Sequence, residues 1–144
     1  MPINSIVDTQ LLTLVEQFEQ GIAPSTAFPH TEHVKVAFAY LCVYPKIEAL
    51  ERFANGIKRL AVAKGKPQAY HETITWAYIF LIHERMTASG AREWEQFAAE
   101  NPDLFDWKNS ILARYYSKAT LDSERARQVF VMPDLAMPDL PPQP

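Results

Sequence analysis

A chain of 144 residues with a formal net charge of −3 and 14 scattered lysines and arginines has no clustered basic surface for nucleic acid. Its hydrophobic fraction of 48 % and charged fraction of 22 % fit one globular domain able to bury a core unaided, and a lone Cys42 excludes an internal disulfide. MPINSIVDTQLL lacks the basic-then-apolar pattern of a secretory signal, and the apolar run ITWAYIFLI is far shorter than the roughly 20 residues that span a bilayer. A cytoplasmic setting with no membrane partner is therefore expected.

Helical periodicity runs almost throughout, and the alternation of strands is missing. The first helix is expected from an N-cap at Asp8 to Gln20, with Leu11, Leu12, Val15 and Phe18 on one face and Gly21 at its C-terminus. A second runs from near His30 to before Pro45, with Val36, Ala37, Tyr40, Leu41 and Tyr44 as its stripe. The third spans Pro45 to Lys64, with Ile47, Leu50, Phe53, Ile57, Leu60 and Ala61 facing inward.

The fourth, from about Ala69 to Thr87, is apolar nearly all round in its middle and reads as the central helix. A short fifth helix carries Trp94 and Phe97 inward, a sixth is expected from about Leu104 to Tyr116, and a further short one from about Asp122 to Phe130. The last 13 residues, MPDLAMPDLPPQP, hold five of the 11 prolines, which forbid helix continuation and sheet pairing. The expected architecture is an all-α, single-domain, up-down bundle of five to six helices over residues 1–131, followed by an extended or disordered tail over 132–144.

Short connections between the first four helices make neighbours antiparallel, so the second and fourth start at one pole. His30 and His33 share a face there at i, i+3 spacing, and His33 continues the inward stripe. His71 and Glu72 open the fourth helix, with Thr75 and Tyr78 following on the same side. Imidazole and carboxylate suit zinc, iron, manganese or nickel, with His30, His33, His71 and Glu72 as ligands. The same groups without a metal can do acid–base work, with His71 and Glu72 as catalytic candidates and Thr75 and Tyr78 toward a small-molecule ligand. The third reading is structural: capping histidines in a satisfied hydrogen-bond network.

Other motifs narrow the field. HETIT and HERMT begin like a zincin His-Glu-x-x-His, but Thr75 and Thr87 replace the second histidine. No glycine-rich phosphate loop, Gly-x-Ser-x-Gly or dinucleotide fingerprint occurs. His83 lies about 18 Å along the helix from His71 and cannot share its site. Cys42 reads as core, and RYYS (residues 114–117) as an amphipathic helix end, with Arg114 and Tyr115 beside a ligand as the alternative. A non-enzymatic interaction module, recruiting a partner through the repeated MPDL or an apolar helix face and including a homodimer, is the rival class.

At FPHTEHVKVA, YHETIT, NPDLFD and RYYS the sequence resembles a family of small, uncharacterised helical bacterial proteins. The resemblance covers nearly everything but the proline-rich tail. It implies an all-helical fold and a bacterial cytoplasmic setting, and it brings no activity.

Overall fold

Helix ends in this chain are set by a few side chains and glycines. Asp8 accepts the Gln10 N–H at 2.7 Å and caps the first helix, and Gly90, at φ +73°, ends the fourth in the left-handed conformation that glycine adopts without a steric cost. The computed structural model describes residues 8–135. It contains α1 (Thr9–Glu19), α2 (His30–Val43), α3 (Lys46–Ala63), α4 (Glu72–Ser89), α5 (Trp94–Glu100), α6 (Lys118–Leu121) and α7 (Glu124–Gln128). Three 3-10 turns, Pro67–Ala69, Pro102–Phe105 and Ile111–Arg114, lie between them, and no strand occurs among the described residues. The protein is all-α and single-domain.

Helix α2 is the hub, packing on α1, α3 and α4. Its middle, Val36 to Tyr40, is almost wholly buried, and Phe38 and Tyr40 are among the largest fully buried side chains. Removing such rings from water is a leading source of the fold's stability, at about 25 cal/mol per Å2 of apolar area. Tyr40 still places its hydroxyl on Glu19 at 2.6 Å, and Arg52 on α3 meets Glu19 at 2.7 Å, so α1, α2 and α3 share one polar clamp. Helices α1 and α3 approach closely at Gly56, where a Cβ would stand 2.5 Å from the Phe18 ring. Helix α4 closes the bundle with Thr73, Ala77, Ile79, Ile82 and Met86 buried, and no helix among the described residues is long and apolar enough to cross a membrane.

The structure corrects several sequence expectations. The expected helix over Leu104–Tyr116 is two 3-10 turns separated by an irregular stretch. Asp106 accepts the Asn109 N–H and Ser110 that of Leu112, at 2.9 and 3.2 Å, local bonds that compete with the helical ladder. Ile47 is 68 % exposed rather than inward, because at 3.6 residues per turn it falls on the flank of the face that Ala49, Leu50, Phe53 and Ile57 bury. Helix α4 begins at Glu72, since Pro67–Ala69 forms a separate 3-10 turn, and α6 is an additional element.

Residues 132–135 are pinned. Leu135 N–H donates to the Tyr115 carbonyl at 3.0 Å, and Asp134 accepts the Ser117 N–H at 2.9 Å. Residues 136–144, with the second MPDL, lie outside the described residues.

Candidate functional site

Helix starts leave N–H groups without intrahelical partners, and the start of α4 meets that need with an imidazole. His71 occupies the N-cap, its Nδ1 accepting the Ile74 N–H at 3.1 Å. Its Nε2–H donates to the Leu121 carbonyl at 2.7 Å. Both ring nitrogens are thereby committed, and the ring must be the neutral tautomer protonated at Nε2. Burial holds its pKa below the ordinary 6.5, and the Leu121 carbonyl partly opposes this.

The start of α2 differs. Pro29 stands at the cap with no side-chain bond, and His30 and His33 lie inside the first turn. His30 Nε2–H donates to the Leu104 carbonyl at 2.8 Å, which leaves Nδ1 as an acceptor. Burial lowers its pKa, with the Leu104 bond opposing. His33 stacks on Phe28 with ring centroids 4.0 Å apart. Burial, then the neighbouring His30, push its pKa down to about 4, so its imidazole is neutral at pH 7. Phe28 itself is held at φ +44°, a left-handed conformation that costs a non-glycine residue on the order of 1–2 kcal/mol and wedges its ring between Phe18 and His33.

These two helix starts face each other across a cavity of about 590 Å3, within the range of small-molecule sites. Its floor is apolar: Val34 and Ala37 from α2, Phe53 and Ile57 from α3, Ile82 from α4 and Leu112. Its polar edge carries His30, His33, His71, Thr75 and Tyr78, with Ser110, Asp122 and Arg127. Tyr78 and Ser110 share a hydrogen bond of 2.8 Å, and burial raises the phenol's pKa. Trp107, 53 % exposed, overhangs the mouth, its ring 4.8 Å from His30 and 6.3 Å from Tyr78 between centroids.

Of the six residues singled out from sequence, five line this cavity, and Glu72 does not. Its carboxylate turns to the neighbouring groove, where it accepts from the Tyr70 hydroxyl at 2.5 Å and lies 3.9 Å from Lys58. Among the described residues, no group of three His, Cys, Asp or Glu is arranged to hold a metal ion. The imidazoles with a nitrogen to spare at the cavity are His30 and His33. Arg114 and Tyr115 are not part of the lining; Arg114 sits 3.8 Å from Asp103. His83 is half-buried on α4, away from the cavity.

Sequence reasoning missed Trp107, Ser110, Asp122 and Arg127. Trp107 and Ser110 were hidden by reading their stretch as a continuous helix. Asp122 and Arg127 arrive from about 50 residues beyond His71, brought back by the Leu121 carbonyl on His71. Comparison of the chain with protein-family models, curated proteins and solved structures finds no match.

Proposed function

We propose that the protein binds a small organic molecule in the cavity between the starts of α2 and α4. The observation carrying this reading is an apolar floor joined to polar groups that are not all used up by the fold. His30 Nδ1 and the neutral His33 ring are available at the lining, while the Trp107 ring overhangs the mouth. Few convergent polar groups over a mostly apolar surface are what a ligand needs for orientation and affinity respectively. A neutral imidazole near a ligand hydroxyl can also take its proton, so an acid–base role belongs to the same site, with His30 as the base. His71 is committed to its cap, and His33, with a pKa of about 4, is too weakly basic at pH 7.

A metal ion at the same place would find few free donors. An ion here would have His30 and His33 as imidazole donors, because His71 would have to surrender its cap and Glu72 its bond to Tyr70. Zinc sites normally draw three or four protein ligands. Elemental analysis of protein purified without a histidine tag measures this form directly; stoichiometric zinc, iron, manganese or nickel would restore it.

Ligand binding is tested by a fragment screen with saturation-transfer NMR on the full chain, run beside Thr75→Phe, which fills the cavity from α4. Fragments that bind the wild type and lose binding in a folded Thr75→Phe protein are expected. Hits that persist in that variant, or an empty screen, would count against the cavity.

One observation favours a second reading, the interaction module. Phe80 and Val129 are each 45 % exposed beside the stacked rings of Trp76 and Phe130, whose centroids lie 5.4 Å apart. Sedimentation velocity on wild type and Phe80→Glu separates a homodimer through this face from a monomer. Equal monomeric profiles reject the homodimer.

A further inference from the structure

Within the binding reading just given, on which this inference rests, the cavity has two chemically distinct ends. One is Arg127. It stands between the cavity, near His71, and the neighbouring groove that holds Glu72. Its Nη1 donates to the Gln68 carbonyl of that groove at 2.9 Å, which leaves its other N–H groups for a ligand. Among the described residues no carboxylate approaches it within ion-pair distance. Asp122, the acidic residue of the lining, is engaged by Lys118 one turn away. A guanidinium keeps its planar fork of donors at any physiological pH, and its natural complement is a carboxylate bound through two parallel hydrogen bonds.

The other end is His30. Its Nε2–H is committed to Leu104, so Nδ1 presents a lone pair, which repels a carboxylate and accepts from a hydroxyl. The ring centroids of Tyr78 and Trp107 each lie 4.8 Å from that of His30 and 6.3 Å from one another, so the three rings pack together as one aromatic wall. The two ends are set apart by α4. Arg127 sits beside His71 and His30 beside Tyr78, seven residues on, which is about 10 Å at 1.5 Å per residue.

We infer that the cavity selects a small hydroxyaryl carboxylate, its carboxylate on Arg127, its ring against the wall made by His30, Tyr78 and Trp107, and its hydroxyl on His30 Nδ1. The apolar floor of Ile57, Ile82 and Leu112 takes the short linker between ring and carboxylate.

The probe is 3-(4-hydroxyphenyl)propanoate, and its control is the matching primary amide, which keeps the shape and loses the charge. By isothermal titration calorimetry on the full chain at pH 7, the carboxylate should bind about tenfold or more tightly than the amide, the scale of one charge-assisted contact. Arg127→Gln should remove that advantage and leave amide binding unchanged, and Arg127→Lys should retain part of it. Removing the phenol hydroxyl, as in 3-phenylpropanoate, should weaken binding several-fold in wild type and not in His30→Phe. Equal affinities for acid and amide, or an equal loss of both on Arg127→Gln, would overturn the assignment. If screened fragments fill the cavity and neither of these compounds binds, the carboxylate assignment falls while the cavity reading stands. If Thr75→Phe also leaves every fragment bound, the cavity reading falls with it.

Discussion

At the start of α4 a histidine stands outside the helix and serves the backbone; at the start of α2 two histidines stand inside the first turn and serve it only in part. His71 gives Nδ1 to Ile74 and Nε2–H to Leu121. His30 gives one nitrogen to Leu104 and keeps the other, and His33 spends itself chiefly on stacking against Phe28. The glutamates beside them behave alike: Glu32 accepts from Ser25 at 2.8 Å and Glu72 from Tyr70. The difference lies in one residue at each cap. Proline at position 29 has no side-chain group to offer, so α2 begins uncapped and its histidines are not drawn into capping. A histidine's availability for chemistry is thus decided by where the helix starts, not by its spacing from other polar residues.

The largest effect that should follow is on acid stability. His30, His33 and His71 all have folded pKa values below the ordinary 6.5, so the unfolded chain takes up protons first as pH falls. The associated stability is fully present above about 6.5 and is lost progressively toward pH 4. The displacement of His33 to about 4 alone corresponds to roughly 3 kcal/mol. Urea denaturation at pH 7, 5.5 and 4 measures it, and His33→Gln should flatten most of the slope. A stability unchanged between pH 7 and 4 would refute the buried, neutral state of these rings.

Next in size is the cap itself. His71→Ala removes the acceptor for Ile74 and the donor to Leu121, and should cost about 2–3 kcal/mol. His71→Asn keeps an N-cap acceptor and should recover about 1 kcal/mol of that loss. If alanine and asparagine are equally destabilising, the cap is not what His71 contributes. At α2, His30→Gln should cost only about 1 kcal/mol, for weakening the bond to Leu104, while ligand affinity drops by a larger factor. A stability loss matching that of His71→Ala would erase the distinction between the two helix starts. The smallest effect belongs to His83→Gln, which should shift stability by less than about 0.5 kcal/mol and leave binding intact.

What sequence could reveal of this site divides along the same physical line. Asp8, Gly21, Pro45 and Gly90 act within a few residues of where they stand, so the first four helices were readable from them. The shared pole of His30, His33, His71, Thr75 and Tyr78 followed from helix direction alone. The orientation of Glu72 did not, because it depends on Tyr70, placed by the 3-10 turn before α4. Ile47 is spaced like an inward residue of α3 and is exposed, since it falls on the flank of the face that Leu50, Phe53 and Ile57 bury and spacing alone does not fix where a buried face ends. The stretch from Leu104 to Tyr116 contains good helix formers, yet Asp106 and Ser110 bond their own backbone neighbours instead.

Thr73 ties the cavity to the order in which the chain is made. Its hydroxyl, fully buried, donates to the Val129 carbonyl at 2.9 Å and accepts the Val131 N–H at 3.1 Å. Together with His71 on Leu121, it holds the segment that supplies Asp122 and Arg127. A chain that has emerged only to the end of α4 lacks all of these partners, and its cavity then has an open side and Thr73 no protein partner for its hydroxyl. Closure must wait for residue 131 to emerge. A nascent chain stalled shortly after α4 should therefore expose the Tyr78 and Ile82 wall to proteases or chaperones that the finished protein excludes.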